Sequence, residues 1–218
     1  LVSAWQDFLF WGYCVVILIS AKQCAGKTSL TEKLRQVYPT SFYIKFAKPL
    51  YEIQDLVYTY LGKYGVEYCE KDGPLLQQIG EHFRKKNKDI WCNIAKKQIE
   101  EFLSTNKEVC VINDDQRHEN EFDIFSNFNY PVARIRLECP EEVRKHRGGT
   151  LWRPDTTHPS EVGLDEYAKK GMFDFYVDTG FRSKDDTFNY VKNALDGFIQ
   201  AGKFTNKGDY IDLFHSDL

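Results

Sequence analysis

Five consecutive aliphatic residues, Val15 to Ile19, run without a break into Ser20-Ala21-Lys22-Gln23-Cys24-Ala25-Gly26-Lys27-Thr28. A helical pattern (Leu30, Lys33, Leu34, Val37) begins at once. An apolar run with no polar alternation reads as a strand buried on both faces, which belongs in a parallel sheet. The spacing that follows fits Gly, four residues, then Gly-Lys-Ser/Thr, with Ala21 standing where the first Gly is expected. Successive backbone N–H groups in such a loop wrap a phosphate, Gly26 lets the chain approach, and the helix N-terminus adds partial positive charge. Lys27 reaches outer phosphates, and the Thr28 hydroxyl is a ligand for Mg²⁺. The alternative for the same stretch is an ordinary strand–turn–helix corner.

A second strand-like run, Val109-Cys110-Val111-Ile112-Asn113, ends in Asp114-Asp115. Ligands gather at the carboxyl ends of parallel strands, so these carboxylates are placed to order Mg²⁺ together with Thr28. Arg117 follows two residues on, with a fork suited to bidentate capture of a substrate phosphate. Glu121 lies one helical turn further, where it meets Arg117 or a base edge. Arg144-Lys145-His146-Arg147 closes a short helix, Arg153 follows in a loop, and cations there can close over a transferring phosphoryl group. Gly80-Glu81-His82-Phe83-Arg84-Lys85-Lys86 is basic and precedes Trp91, a pairing that could hold a phosphate and stack a base. Plainer readings stand beside each of these. They are a solvated turn for the aspartates, a surface ion pair for Arg117 and Glu121, helix-dipole placement for Arg144 and Arg147, and a core tryptophan beside a solvated basic face for Trp91 and Arg84.

Strand-like runs at 15–20, 41–46, 109–113, 132–137 and 173–178 alternate with helical stretches at 27–37, 49–61, 74–86, 89–105, 118–127, 140–146, 163–170 and 184–201. That alternation predicts an α/β fold, a five-stranded parallel sheet flanked by helices. We divide the chain into an extension (1–13), one domain (14–202) with a lid near 144–160, and a tail (203–218).

The 218 residues carry a formal charge of −3, which gives no reason to expect a nucleic-acid polymer as partner. Cys14, Cys24, Cys69, Cys92, Cys110 and Cys139 show neither CxxC nor metal-ligand spacing, so reduced thiols in the cytoplasm are the simplest expectation. The apolar stretch 8–19 is too short to span a bilayer and lacks a basic leading region, so no membrane partner is expected. Neither a zinc-type histidine spacing nor a Gly-x-Ser-x-Gly elbow is present.

With these residues in order, the chain resembles the bacteriophage-type deoxynucleoside monophosphate kinases of the P-loop kinase superfamily. The resemblance covers roughly 15–200 and rests on the loop Ser20–Thr28, the run Leu76-Gln77-Gln78-Ile79-Gly80 with Trp91 downstream, Asp115-x-Arg117-x-x-x-Glu121, and His158-Pro159-Ser160-Glu161 with Gly163-Leu164 behind it. Phosphomevalonate kinase of the animal type is similar too. The resemblance implies transfer of the γ-phosphoryl of ATP to a (deoxy)nucleoside 5′-monophosphate, a lid, and helical regions that bind the monophosphate. It implies that Ser20, Ala25, Gly26, Lys27, Thr28 and Ser29 serve ATP, that Thr28, Asp114 and Asp115 serve Mg²⁺, and that Gln77, Gly80, Glu81, Arg84, Trp91, Asp115, Arg117 and Glu121 serve the acceptor. Lys27, Asp115, Arg117, Arg144 and Arg147 are then the catalytic candidates, and a homodimer is compatible with the likeness. Two departures stand out: Gly73-Pro74 replaces the family's basic pair, with Lys71 nearby, and Glu81 replaces a common threonine. A non-catalytic nucleotide-binding regulator is the rival from a different class.

Overall fold

In the computed structural model, which describes residues 15–106, 110–128, 130–152 and 159–201, β1 (Val15–Ala21) is buried along its whole length. Its side chains alternate between two cores. Val15, Ile17, Ile19 and Ala21 face Leu30 and Leu34 of α1 (Lys27–Val37) and Val191 and Leu195 of α9 (Lys184–Ala201). Val16 and Leu18 face Ala95, Ile99 and Leu103 of α4 (Ile90–Thr105). The helical residues recur four apart, so each helix turns one apolar stripe to the sheet.

β1 pairs in parallel with β3 (Cys110–Asn113) on one side and β4 (Val132–Glu138) on the other. β2 (Phe42–Tyr43) and β5 (Phe175–Asp178) complete the order β2-β3-β1-β4-β5, and every pair is parallel. The central strand is therefore the point where the chain switches direction across the sheet. Residues after β2 and β3 gather on one side of it, and residues after β4 and β5 on the other.

α2 (Lys48–Gly62) and α3 (Gly73–Lys86) form a helical arm packed on α4 through Leu50, Leu76 and Trp91. The fully buried Gln54 amide ties the intervening loop to α2: it donates to the Cys69 and Glu70 carbonyls and accepts from Asp72 N–H. Asp72 in turn caps α3 by accepting from Leu75 N–H.

The expected elements are present with changed ends. The strand expected at 41–46 shortens to β2 because the Phe46 and Ala47 amides turn away to the Asp115 carboxylate. The helix expected at 118–127 stops after α5 (Glu119–Asp123), where Phe125 and Phe128 fold into the α4-side core. The helix expected at 163–170 shortens to α8 (Asp165–Lys169), and a further short helix, α7 (Pro159–Val162), precedes it after α6 (Glu141–Gly148). The extension 1–13, the tail 203–218, Val109, Arg153 and His158 lie outside the described residues.

Leu34 is fully buried between α1 and the sheet, whereas Leu56 on α2 is 71% exposed. Leu34→Ala should cost about 2–5 kcal/mol in urea unfolding, and Leu56→Ala should stay within about 0.5 kcal/mol.

Candidate active site

The loop after β1 is shaped by left-handed backbone at Cys24 (φ 63°) and Gly26 (φ 95°), with Gly26 at the N-cap of α1. Any other L residue at Gly26 would be strained there. Ala25, Gly26, Lys27, Thr28 and Ser29 line a cavity of about 1040 Å³ at the carboxyl ends of the strands. Lys27 folds back to donate to the Ala21 carbonyl at 2.7 Å. Burial and the neighbouring Arg117 guanidinium lower its pKa to about 8. A lysine held this way has few solvent partners and is best satisfied by an arriving anion.

On the β3 side, Asp114 is buried and accepts from the Tyr43 hydroxyl at 2.7 Å, with the Lys45 ammonium at 3.8 Å. Asp115 accepts from Phe46 N–H, Ala47 N–H and the Asn113 side-chain amide, at 2.8–3.0 Å. Both of its oxygens thus hold the entry to α2. Burial, above all, raises its pKa despite those donors.

Arg117 donates to Glu161 at 2.8 Å. The other oxygen of Glu161 accepts from Gln23 N–H in the loop at 2.9 Å. Glu121 is buried and accepts from Arg117 N–H (2.6 Å) and His118 N–H (3.0 Å), with Arg84 at 3.9 Å. Its pKa is pushed up to about 8 by burial, with Asp115 adding repulsion.

Lys45, Tyr51, Lys71, Gln77, Arg84, Arg117 and Glu121 line the cavity on the side of α2, α3 and the ends of β2 and β3. Arg147, Thr179, Arg182 and Lys184 line it on the side of β4 and β5. Arg147 donates to the Thr179 carbonyl at 2.7 Å, and the Thr179 hydroxyl donates to the Ala25 carbonyl at 2.9 Å.

Several residues singled out in the sequence are not brought to this cavity. Ser20 is 1% exposed, and its hydroxyl accepts from the buried Arg136 guanidinium. Arg144 is buried against the Cys139 and Gln23 carbonyls and the Trp152 ring. Trp91 is 3% exposed in the arm's core and donates its indole N–H to the Gly80 carbonyl. Gly80 packs beneath Arg84 and Leu50, and Glu81 is exposed and lies with Gln78 and His82 at a separate surface depression. Lys45, Tyr51, Glu161, Arg182 and Lys184 belong to the site or its frame but were not singled out as site residues. Arg182 and Lys184 follow a strand end, a topological signal that was available; Glu161 stands in one of the motifs that carry the resemblance, but its contact with Gln23 spans 138 residues and has no local sign.

Among the described residues no group of three or more His, Cys, Asp or Glu could hold a metal ion by itself. The donors present, the Thr28 hydroxyl and the Asp114 carboxylate, are hard oxygens. They fit Mg²⁺, which takes one or two protein ligands and completes its shell with water and phosphate oxygens.

The five-stranded parallel sheet flanked by helices, with the phosphate-type loop at the end of its central strand, is the α/β architecture expected. No family model matches the chain, and no curated protein matches it. Among solved structures it superposes on TT1252 from Thermus thermophilus with a TM-score of 0.55 at 16% identity, covering 89% of this chain and 100% of that one. Looser superpositions, both at a TM-score of 0.44, are with a gluconokinase from Sinorhizobium meliloti 1021 (16% identity, 88% of this chain, 94% of that one) and shikimate kinase from Aquifex aeolicus (13%, 84% and 96%). No helix among the described residues is long and apolar enough to cross a membrane.

The Glu121 environment makes stability depend on pH. The folded chain keeps this proton up to about pH 8, whereas the unfolded chain releases it near the ordinary 4.5. The contribution is therefore fully present below pH 4.5 and is lost as pH rises through 8. Glu121→Gln should flatten the fall in unfolding free energy between pH 5 and 8 by about 1 kcal/mol per pH unit, leaving the part due to Asp115. Urea unfolding at a series of pH values measures it.

Proposed function

We propose that this chain transfers the γ-phosphoryl group of ATP to the phosphate of a (deoxy)nucleoside 5′-monophosphate. The observation that carries this reading is the division of cations around one loop: Arg147, Arg182 and Lys184 on the β4–β5 side, Lys45, Lys71, Arg84 and Arg117 on the β2–β3 side. One triphosphate would engage only one side. A second cationic wall across the loop fits a second phosphate-bearing ligand.

In this reading the loop amides and Lys27 hold the donor's outer phosphates, and Arg147, Arg182 and Lys184 face the rest of the donor. Arg117 and Arg84 hold the acceptor phosphate, whose oxygen is already charged and needs no protein nucleophile. Positioning and charge neutralisation then supply the rate. Thr28 and Asp114 would hold Mg²⁺, which would supply neutralising charge to the transferring phosphoryl group. Tyr43 keeps Asp114 in place, and Asp115 anchors α2. Glu121 and Gln77 offer hydrogen-bonding groups to an acceptor base, and Tyr51 a ring. A chain of this kind would work in a reducing, cytoplasmic setting, consistent with the free thiols at Cys24, Cys69, Cys92, Cys110 and Cys139.

One observation favours a second reading, a non-nucleotide acceptor such as phosphomevalonate. Trp91 is withdrawn into the core, which leaves Phe46, Tyr51 and His118 as the rings that line the cavity among the described residues. ADP release with ATP plus each of dAMP, dGMP, dCMP, dTMP and phosphomevalonate decides between the two. ATP binding with no turnover of any acceptor would instead indicate a nucleotide-binding regulator.

Lys27→Ala should lower turnover by about 10²-fold or more with an unchanged circular dichroism spectrum. A near-normal rate in that variant would remove ATP from the loop. Arg117→Ala should raise the acceptor KM by about 10–100-fold, the loss expected for one charge-assisted hydrogen bond, while the KM for ATP moves little.

A further inference from the structure

The Glu161 carboxylate joins two parts of the cavity that come from different strands. One oxygen accepts from Gln23 N–H in the loop after β1, and the other accepts from Arg117 after β3. Its side chain is 16% exposed, against 33% for Arg117. Four residues on, Asp165 binds Lys22 at 2.8 Å and the buried Arg136 at 2.9 Å. The α7–α8 segment therefore grips Lys22 and Gln23, the residues that open the loop, and holds Arg117 with the same hand.

We propose that Glu161 is a positioning residue, which sets the distance between the donor's loop and the arginine that holds the acceptor phosphate. This rests on the phosphoryl-transfer reading above. Arginine carries a long side chain with about 2 kcal/mol of rotamer entropy. Without an anchor its guanidinium would sample many placements relative to the loop. A carboxylate held by one backbone N–H and one guanidinium nitrogen makes two charge-assisted hydrogen bonds of fixed direction. In-line transfer is sensitive to this spacing, because a misplacement of about 1 Å can cost about 10²-fold in rate. Asp165 does not substitute, because its oxygens are taken by Lys22 and Arg136.

The test compares wild type, Glu161→Gln, Arg117→Ala and the double variant by ADP release with saturating ATP and the best acceptor of the panel. Calorimetric ATP affinity and melting temperature are measured alongside. Glu161→Gln keeps an acceptor for Gln23 N–H and removes the charge from Arg117. The expected result is a 10- to 100-fold fall in kcat, with ATP affinity and melting temperature unchanged. In the Arg117→Ala background the same change should cost less than about twofold, because the partner it positions is gone. If Glu161→Gln does not fold, Glu161→Asp keeps the charge but shortens the reach and should show the same kcat loss.

An unchanged kcat, or losses that multiply in the double variant, overturns the inference. So does a loss of ATP affinity and melting temperature that accounts for the rate. A rate increase overturns it as well, by marking the carboxylate as a competitor of the acceptor phosphate. A wild type that turns over no acceptor overturns the phosphoryl-transfer reading itself, and this role with it. That outcome is distinct from an active wild type matched by an equally active variant.

Discussion

Everything at the cavity depends on β1 being buried on both faces. A strand flanked by β3 and β4 and covered by α1, α9 and α4 has no freedom to shift. Moving it by one residue would exchange its two sets of side chains between cores of different shape. The loop that follows is therefore delivered to one place. The left-handed backbone at Cys24, unfavourable for a residue with a side chain, is tolerated because the loop's two ends, β1 and α1, are both fixed by packing.

A polar frame beneath the loop completes what packing begins. Arg136 is buried, and its guanidinium is met by Ser20, Glu138 and Asp165. A buried cation without these partners would be strongly unfavourable. The same network passes through Asp165 to Lys22, while Thr179 and Arg144 reach the carbonyls of Ala25 and Gln23. The loop's carbonyls are thus held from behind by several elements. Its residues from Ala25 to Ser29, at the start of α1, line the cavity. Ser20 belongs to this frame, which explains why a hydroxyl so close to the loop does not line the cavity.

The sequence made the fold legible where one local pattern matched one environment. The unbroken run at β1, the stripe Leu30–Leu34 in α1 and the stripe Val191–Leu195 in α9 each need no distant information. The loop residues Ala25 to Ser29 and the strand-end pair Asp114–Asp115 were legible for the same reason. The α3 residues were not. Gly80 and Glu81 are adjacent, and one step around a helix is about 100°, so a binding face and a solvent face sit side by side. Neither meets the cavity, because Leu76 and Trp91 packing with Leu50 turns Gly80 into the arm and leaves Glu81 exposed. Arg144 and Arg147 show the same ambiguity one helical turn apart. Arg144 is captured by carbonyls and a ring, and Arg147 reaches the cavity edge. Contacts across more than a hundred residues, such as Glu161 with Gln23, leave no periodic trace in the chain.

The overall charge of −3 and the cationic cavity are two aspects of one design. Acidic residues sit on outer helix faces, as in the pairs Lys97–Glu101 and Lys169–Glu166, where water screens them. Cations collect at the strand ends, where low-dielectric walls focus their field. Inside, that concentration is unfavourable by itself: Arg117 helps to lower the pKa of Lys27. The carboxylates of Glu161, Asp114 and Asp115 relieve part of this repulsion, but Asp115 also spends both oxygens on backbone amides. The cavity thus carries an excess of positive charge close to the loop. An incoming polyphosphate would be favoured both by its own contacts and by the repulsion it removes, so the same residues that frame the site also select the charge of what enters it.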